Sequence, residues 1–125
     1  MYTPENIEEL LPNHIFVFGS NILGNHAGGA ARIALDKFWA IRWQWEWIQW
    51  QSYAFPTLDE NMDIYSLDKI LIFLRNLILT AEEYNDKTFL VTKVGCWIAW
   101  YEEEFMKAVF RHYKLPDNII KPKWW

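Results

Sequence analysis

A strand with one face in water alternates apolar and polar residues, whereas a strand covered on both faces is free to be apolar throughout. His14-Ile15-Phe16-Val17-Phe18 is a continuous apolar run of the second kind, and Thr88-Phe89-Leu90-Val91-Thr92-Lys93-Val94 is the other strong strand pattern. Each runs straight into a glycine-bearing segment and then into a helical pattern: Gly19 to Gly29 after the first, Gly95 to Tyr101 after the second. Strands alternating with helices predict an α/β fold, a three-layer α/β/α arrangement on a mostly parallel sheet. In such sheets ligands sit outside the carboxyl ends of the strands. The two loops are therefore the expected site. A chain of 125 residues fits a single domain over 1–125, with no room for a second core.

The remaining elements follow from caps and periodicity. Thr3-Pro4 before Glu5 predicts an N-cap with proline at the first helical position, and a short helix through Leu11 that Pro12-Asn13 ends. A second helix is expected from Ala30 to about Phe38. Ser52-Tyr53-Ala54-Phe55 is a short strand stopped by Pro56, and Thr57 to Tyr65 is polar loop. Ser66 caps the longest helix, in which Ile70, Leu71, Phe73, Leu74, Leu77, Ile78 and Ala81 form one broad apolar face. Glu102 to Tyr113 is a last helix with an acidic start that suits the macrodipole. An edge strand is expected within Pro116 to Lys121.

Composition removes some function classes. The net charge of −4 and pI near 5.3 argue against duplex DNA, whose binders gain most of their affinity by neutralising phosphates with Lys and Arg. The longest apolar candidate, Ile70 to Leu79, is broken by Arg75 and Asn76, so no membrane span is expected. The first residues lack the basic and apolar regions of a signal peptide. A lone cysteine, Cys96, builds no disulfide framework, and the expectation is a cytoplasmic protein. Oligomeric state is not legible. No His, Cys, Asp and Glu cluster has metal-site spacing, and no cofactor is expected.

One total is inverted: nine tryptophans stand against five glycines. Taken literally, Trp43-Gln44-Trp45-Glu46-Trp47 would put three indoles on one face of a strand. That would be a stacking platform for carbohydrate or single-stranded nucleic acid. The other reading writes glycine at the tryptophan positions. Glycine at 39 then closes a helix as its C′ residue, and glycines at 97 and 100 let the loop after the second strand approach a phosphate. Some genetic codes read UGA as glycine and others as tryptophan, so translation with the wrong table would produce this inversion. Trp124 and Trp125 then become a Gly-Gly tail.

With glycine at those positions, Phe16-Val17-Phe18-Gly19-Ser20-Asn21 followed by Gly24-Asn25-His26-Ala27-Gly28-Gly29-Ala30-Ala31 resembles a family of small, largely uncharacterised bacterial and phage proteins. The match continues through Gln44-Trp45-Glu46, Ile48-Gln49, Gln51-Ser52-Tyr53-Ala54-Phe55-Pro56-Thr57, Asp59-Glu60-Asn61 and Thr92-Lys93-Val94-Gly95-Cys96. More distantly the layout is similar to a macro domain, the α/β module that binds ADP-ribose. This resemblance implies a phosphate-bearing, ADP-ribose-like nucleotide ligand. Gly19, Ser20, Asn21, Gly24, Gly28 and Gly29 would hold it from the first loop. Gly95, Cys96, Trp97, Ile98, Ala99, Trp100 and Tyr101 would hold it from the second. The chain departs from the macro layout at its N-terminus, where no extra leading strand is evident.

Each candidate carries a plainer alternative. Asn21 could orient a ribose or a catalytic water, or form an Asx-turn. His26 could act as acid or base, or cap a backbone group. If the chain is an enzyme, hydrolysis at ribose or phosphate is the expected chemistry, with Asn21 positioning water and His26 assisting. Cys96 as a nucleophile would need His26 as its base, and a small buried hydrophobe is the simpler role. Glu46 with Gln44, Gln49 and Gln51 forms a polar set suited to a base or ribose hydroxyls, or simply to water. Asp59-Glu60-Asn61 is a short acidic loop of a kind that seldom binds a cation.

Overall fold

The computed structural model describes residues 2–4, 7, 9–21, 34, 38, 46–59, 61, 63, 65–94 and 103–125. Five strands form one sheet: β1 His14–Asn21, β2 Trp47–Gln49, β3 Ser52–Leu58, β4 Thr88–Val91 and β5 Ile119–Ile120. Helix α1 spans Leu67–Glu83 and helix α2 spans Glu103–Arg111. The strand order is β2-β3-β1-β4-β5. β1 pairs in parallel with β3 and β4, β4 pairs in parallel with β5, and β2 alone runs antiparallel, as the hairpin partner of β3. This is the mostly parallel α/β architecture that the alternating strand and helix patterns predict.

The apolar run in β1 is divided between two cores. Ile15 and Val17 join Tyr53, Phe55, Phe89 and Val91 beneath the inner faces of α1 and α2, where Ile70, Leu74, Leu77, Met106 and Phe110 are fully buried. Phe16 and Phe18 point the other way, to a cluster with Ala34, Phe38 and Ala54 that Ile7 and Leu10 flank. Successive strand residues face opposite sides, so an uninterrupted apolar run serves both cores. Phe38 donates its N–H to the Ala34 carbonyl at 3.0 Å, a helical i→i−4 bond, and its own carbonyl accepts the buried Ser52 hydroxyl at 2.7 Å. Covered faces on both sides of the sheet account for the three layers.

Several expected boundaries move. Thr3 is not a helix cap: its N–H bonds Lys121 O at 2.8 Å, its hydroxyl bonds Ile120 O at 2.9 Å, and it bridges in parallel to Pro122. None of the described residues 7 and 9–11 is helical. The polar side chain read as a cap instead secures the sheet edge beyond β5. β3 does not stop at Pro56 but passes through it to Leu58. In its ladder Tyr53, Phe55 and Thr57 turn their backbone groups toward β1, so the missing N–H of Pro56 faces away, past the end of β2. β4, by contrast, ends at Val91 rather than Val94. Trp47 to Gln49, loop in the glycine reading, is a short strand. The C-terminus is no free tail, because the Trp125 ring is buried against Phe110 with centroids 5.5 Å apart.

Asn118 ties the far end of α1 to β5. Its Nδ2 donates to the carbonyls of Ala81 at 2.8 Å and Lys87 at 3.0 Å, with Tyr84 at 3.4 Å. The Ala81 carbonyl is one that a helix C-terminus leaves without an intrahelical partner, Tyr84 is the residue that caps α1, and Lys87 leads directly into β4. Asn118→Ala is expected to cost about 1–2 kcal/mol of unfolding free energy, read from urea denaturation. An unchanged midpoint would show that water replaces the amide without loss.

Candidate functional site

The direction of the chain decides where a site can form. From β1 it moves toward β3, then crosses β1 through α1 to reach β4, and continues outward through α2 to β5. The last two crossovers run the same way along the sheet, and α1 and α2 pack together on one face. Ala34 and Phe38, from the oppositely directed connection, lie on the other face. The connections therefore diverge between the carboxyl ends of β1 and β4. Such a switch point is where open α/β sheets hold their ligands.

The two strands end unevenly there. The last β1–β4 pair is Val17 with Val91. Thr92 closes that ladder with two donors on one acceptor, its N–H at 3.2 Å and its hydroxyl at 2.8 Å from Val17 O. Val94 N–H then turns back to Thr92 O at 2.7 Å. β1 continues from residue 17 to residue 21, a step of roughly 13 Å at strand rise. In this stretch it is held on the β3 side, where Thr57 Oγ1 donates to Ser20 O at 2.9 Å. Since Phe16, Ser20 and their alternates turn toward β3, Gly19 turns its N–H and C=O to the β4 side, past the last β4 pair. A bulge between Ser20 and Asn21 ends the regular pairing.

Of the expected ligand residues, Gly19, Ser20 and Asn21 thus lie at the switch point. Gly24, His26, Gly28, Gly29, Gln44, Gly95, Cys96, Trp97, Ile98, Ala99, Trp100 and Tyr101 lie outside the described residues. Gln51 is not brought to this edge. Its carbonyl accepts from Phe16 N–H at 2.7 Å and its Nε2 donates to Leu11 O at 3.0 Å, at the amino end of β1. Glu46 also takes up a different position, with Asn76 Nδ2 of α1 donating to its Oε2 at 3.0 Å. Asp59 Oδ1 accepts the N–H groups of Asn61 and Asp63 at 2.8 and 3.0 Å, and so organises its own loop. Among the described residues no group of His, Cys, Asp and Glu could hold a metal ion. No described helix is long and apolar enough to cross a membrane.

Beyond the step, Lys93 meets Glu103 at the start of α2, 3.4 Å away. The Trp125 indole donates to the same carboxylate oxygen at 3.2 Å. That hydrogen bond, and after it Lys93, hold the Glu103 carboxyl below its usual range.

Tyr53 is the functional-looking group that sequence patterns miss, since an apolar strand gives no sign of where a hydroxyl will land. It is fully buried, and its hydroxyl has no hydrogen-bond partner. Thr80, whose own hydroxyl donates to Asn76 O at 2.8 Å, lies beside it. Burial, and then the nearby Glu46 carboxylate, push the phenol well above its usual pKa, and Thr80 draws it down by less. A phenol kept neutral in the fold supports stability fully below its ordinary pKa of about 10, and that support is lost as pH rises beyond it. Tyr53→Phe should raise the unfolding free energy by about 1 kcal/mol, since an unsatisfied buried hydroxyl is costly. It should also blunt the alkaline loss of stability. Urea titrations at neutral and alkaline pH measure both, and a destabilised variant would contradict the assignment.

No protein-family model and no curated protein matches the sequence. The fold is similar to that of a solved protein of unknown function from Bacteroides thetaiotaomicron, with 13% identity and a TM-score of 0.56 over 87% of this chain and 88% of that one.

Proposed function

We propose that the chain binds a phosphate-bearing nucleotide derivative, ADP-ribose-like, at the switch point between β1 and β4. The observation that carries this reading is the step at that edge: β1 outruns β4, and the backbone of Gly19 turns to the β4 side past the last β1–β4 pair. Backbone groups at the mouth of a glycine-bearing loop recognise phosphate without needing a basic surface. That suits a chain of net charge −4. Gly24, Gly28 and Gly29 extend the first loop, and 95–101 supplies the second. If the bound ligand is hydrolysed, Asn21 orients the water and His26 assists.

Calorimetry with ADP-ribose, an oligosaccharide and a single-stranded oligonucleotide tests the proposal. ADP-ribose is expected to bind selectively, with Asn21→Ala weakening it at least tenfold, about 1.4 kcal/mol. Gln51→Ala, at the other end of the sheet, should leave affinity unchanged. Selective binding of the oligosaccharide, lost on Trp45→Gly, would replace this reading with an aromatic platform.

A further inference from the structure

Among the described residues, the non-glycine positions with positive φ are Trp50 at 56° and Trp124 at 74°. Both are tryptophan. A left-handed backbone brings Cβ against the following carbonyl oxygen, and a bulky residue there is an outlier.

The turns make the coincidence sharper. Gln49 pairs with Ser52, so Trp50 and Gln51 are a two-residue hairpin loop. Positive φ at its first residue and not at its second is the type II′ pattern, whose first central position belongs to glycine. At the other end, Trp125 N–H bonds Pro122 O at 3.1 Å, closing a turn with Lys123 and Trp124 at its centre. Positive φ at the second central residue alone is type II, which requires glycine there. Two turns of different type each place an indole at the position where the turn needs a missing Cβ. Neither ring compensates by burial, being 76% and 68% exposed.

We infer that positions 50 and 124 are glycine positions, and that the protein made in its source carries glycine there, encoded by UGA. Trp125 falls outside the inference. Its backbone is not left-handed, its ring is buried on Phe110 and its indole N–H bonds Glu103. The inference is independent of the nucleotide-binding reading.

Three measurements decide it. The codons at 50 and 124 should be UGA, and UGG at either would overturn the inference. Peptide masses of the protein isolated from its source should show glycine at both positions, and tryptophan would overturn it. In the tryptophan-bearing full chain, Trp50→Gly should raise the folding equilibrium constant roughly fivefold, as relief of a left-handed non-glycine residue implies. Trp50→Ala removes the same indole but keeps Cβ, and should give little of that gain. Equal effects from Gly and Ala, or a loss with Gly, would show that the turn does not ask for glycine.

Discussion

The carbonyl of Val17 receives two donors from Thr92, the backbone N–H and the side-chain hydroxyl. Thr92 makes the last bond of the β1–β4 ladder, and with Val94 folded back on the Thr92 carbonyl the regular pairing ends there. Strand β1 is the middle of the sheet, paired on either side and buried on both faces, so its length sets how far the sheet reaches. β4 stops short while β3 follows β1 to Leu58, and the carboxyl edge is left stepped. The divergence of connections at the same place puts the step at the switch point. Hydrogen bonds near one threonine thus end the β1–β4 ladder early and leave the carboxyl edge stepped at the switch point.

Much of the architecture was legible because burial on two faces leaves a plain mark. The runs at 14–18 and 88–91 are apolar without alternation, and α1 shows the apolar face that seals them. What was not legible depends on partners distant in sequence. Thr3-Pro4-Glu5 reads as a helix start by local rules, yet Thr3 bonds residues 120 and 121, and a sheet edge outbids a short helix. Pro56 reads as a strand end, yet it costs nothing where its ring side faces away from β1. Gln51 looks like a member of the polar loop set because it is close to Glu46 in sequence. The hairpin turn sends it to the amino end of β1, away from any ligand at the carboxyl edge.

Of the candidate site, Gly19 to Asn21 could be placed from sequence, since a strand running into a glycine loop marks its own exit. The unpartnered Tyr53 hydroxyl could not. It sits at an inward position that any large aromatic would fill, and Phe89 meets its ring edge-on at 6.2 Å. Periodicity reports which face a residue takes, not whether a polar atom at its tip finds a partner.

The electrostatics of the edge narrow how an anion could be held there. A helix N-terminus normally favours phosphate, but α2 opens with Glu103 and Glu104. These carboxylates already complement the helix dipole. The adjacent cation, Lys93, is spent on Glu103, and Lys107 lies 3.0 Å from Glu104. A phosphate approaching from α2 would meet negative charge and displace existing pairs. From the β1 side it would meet the backbone and the single glycine of the 19–21 segment, which carries no carboxylate. If the ligand bears phosphate, then, its charge is better served by the first loop than by the second.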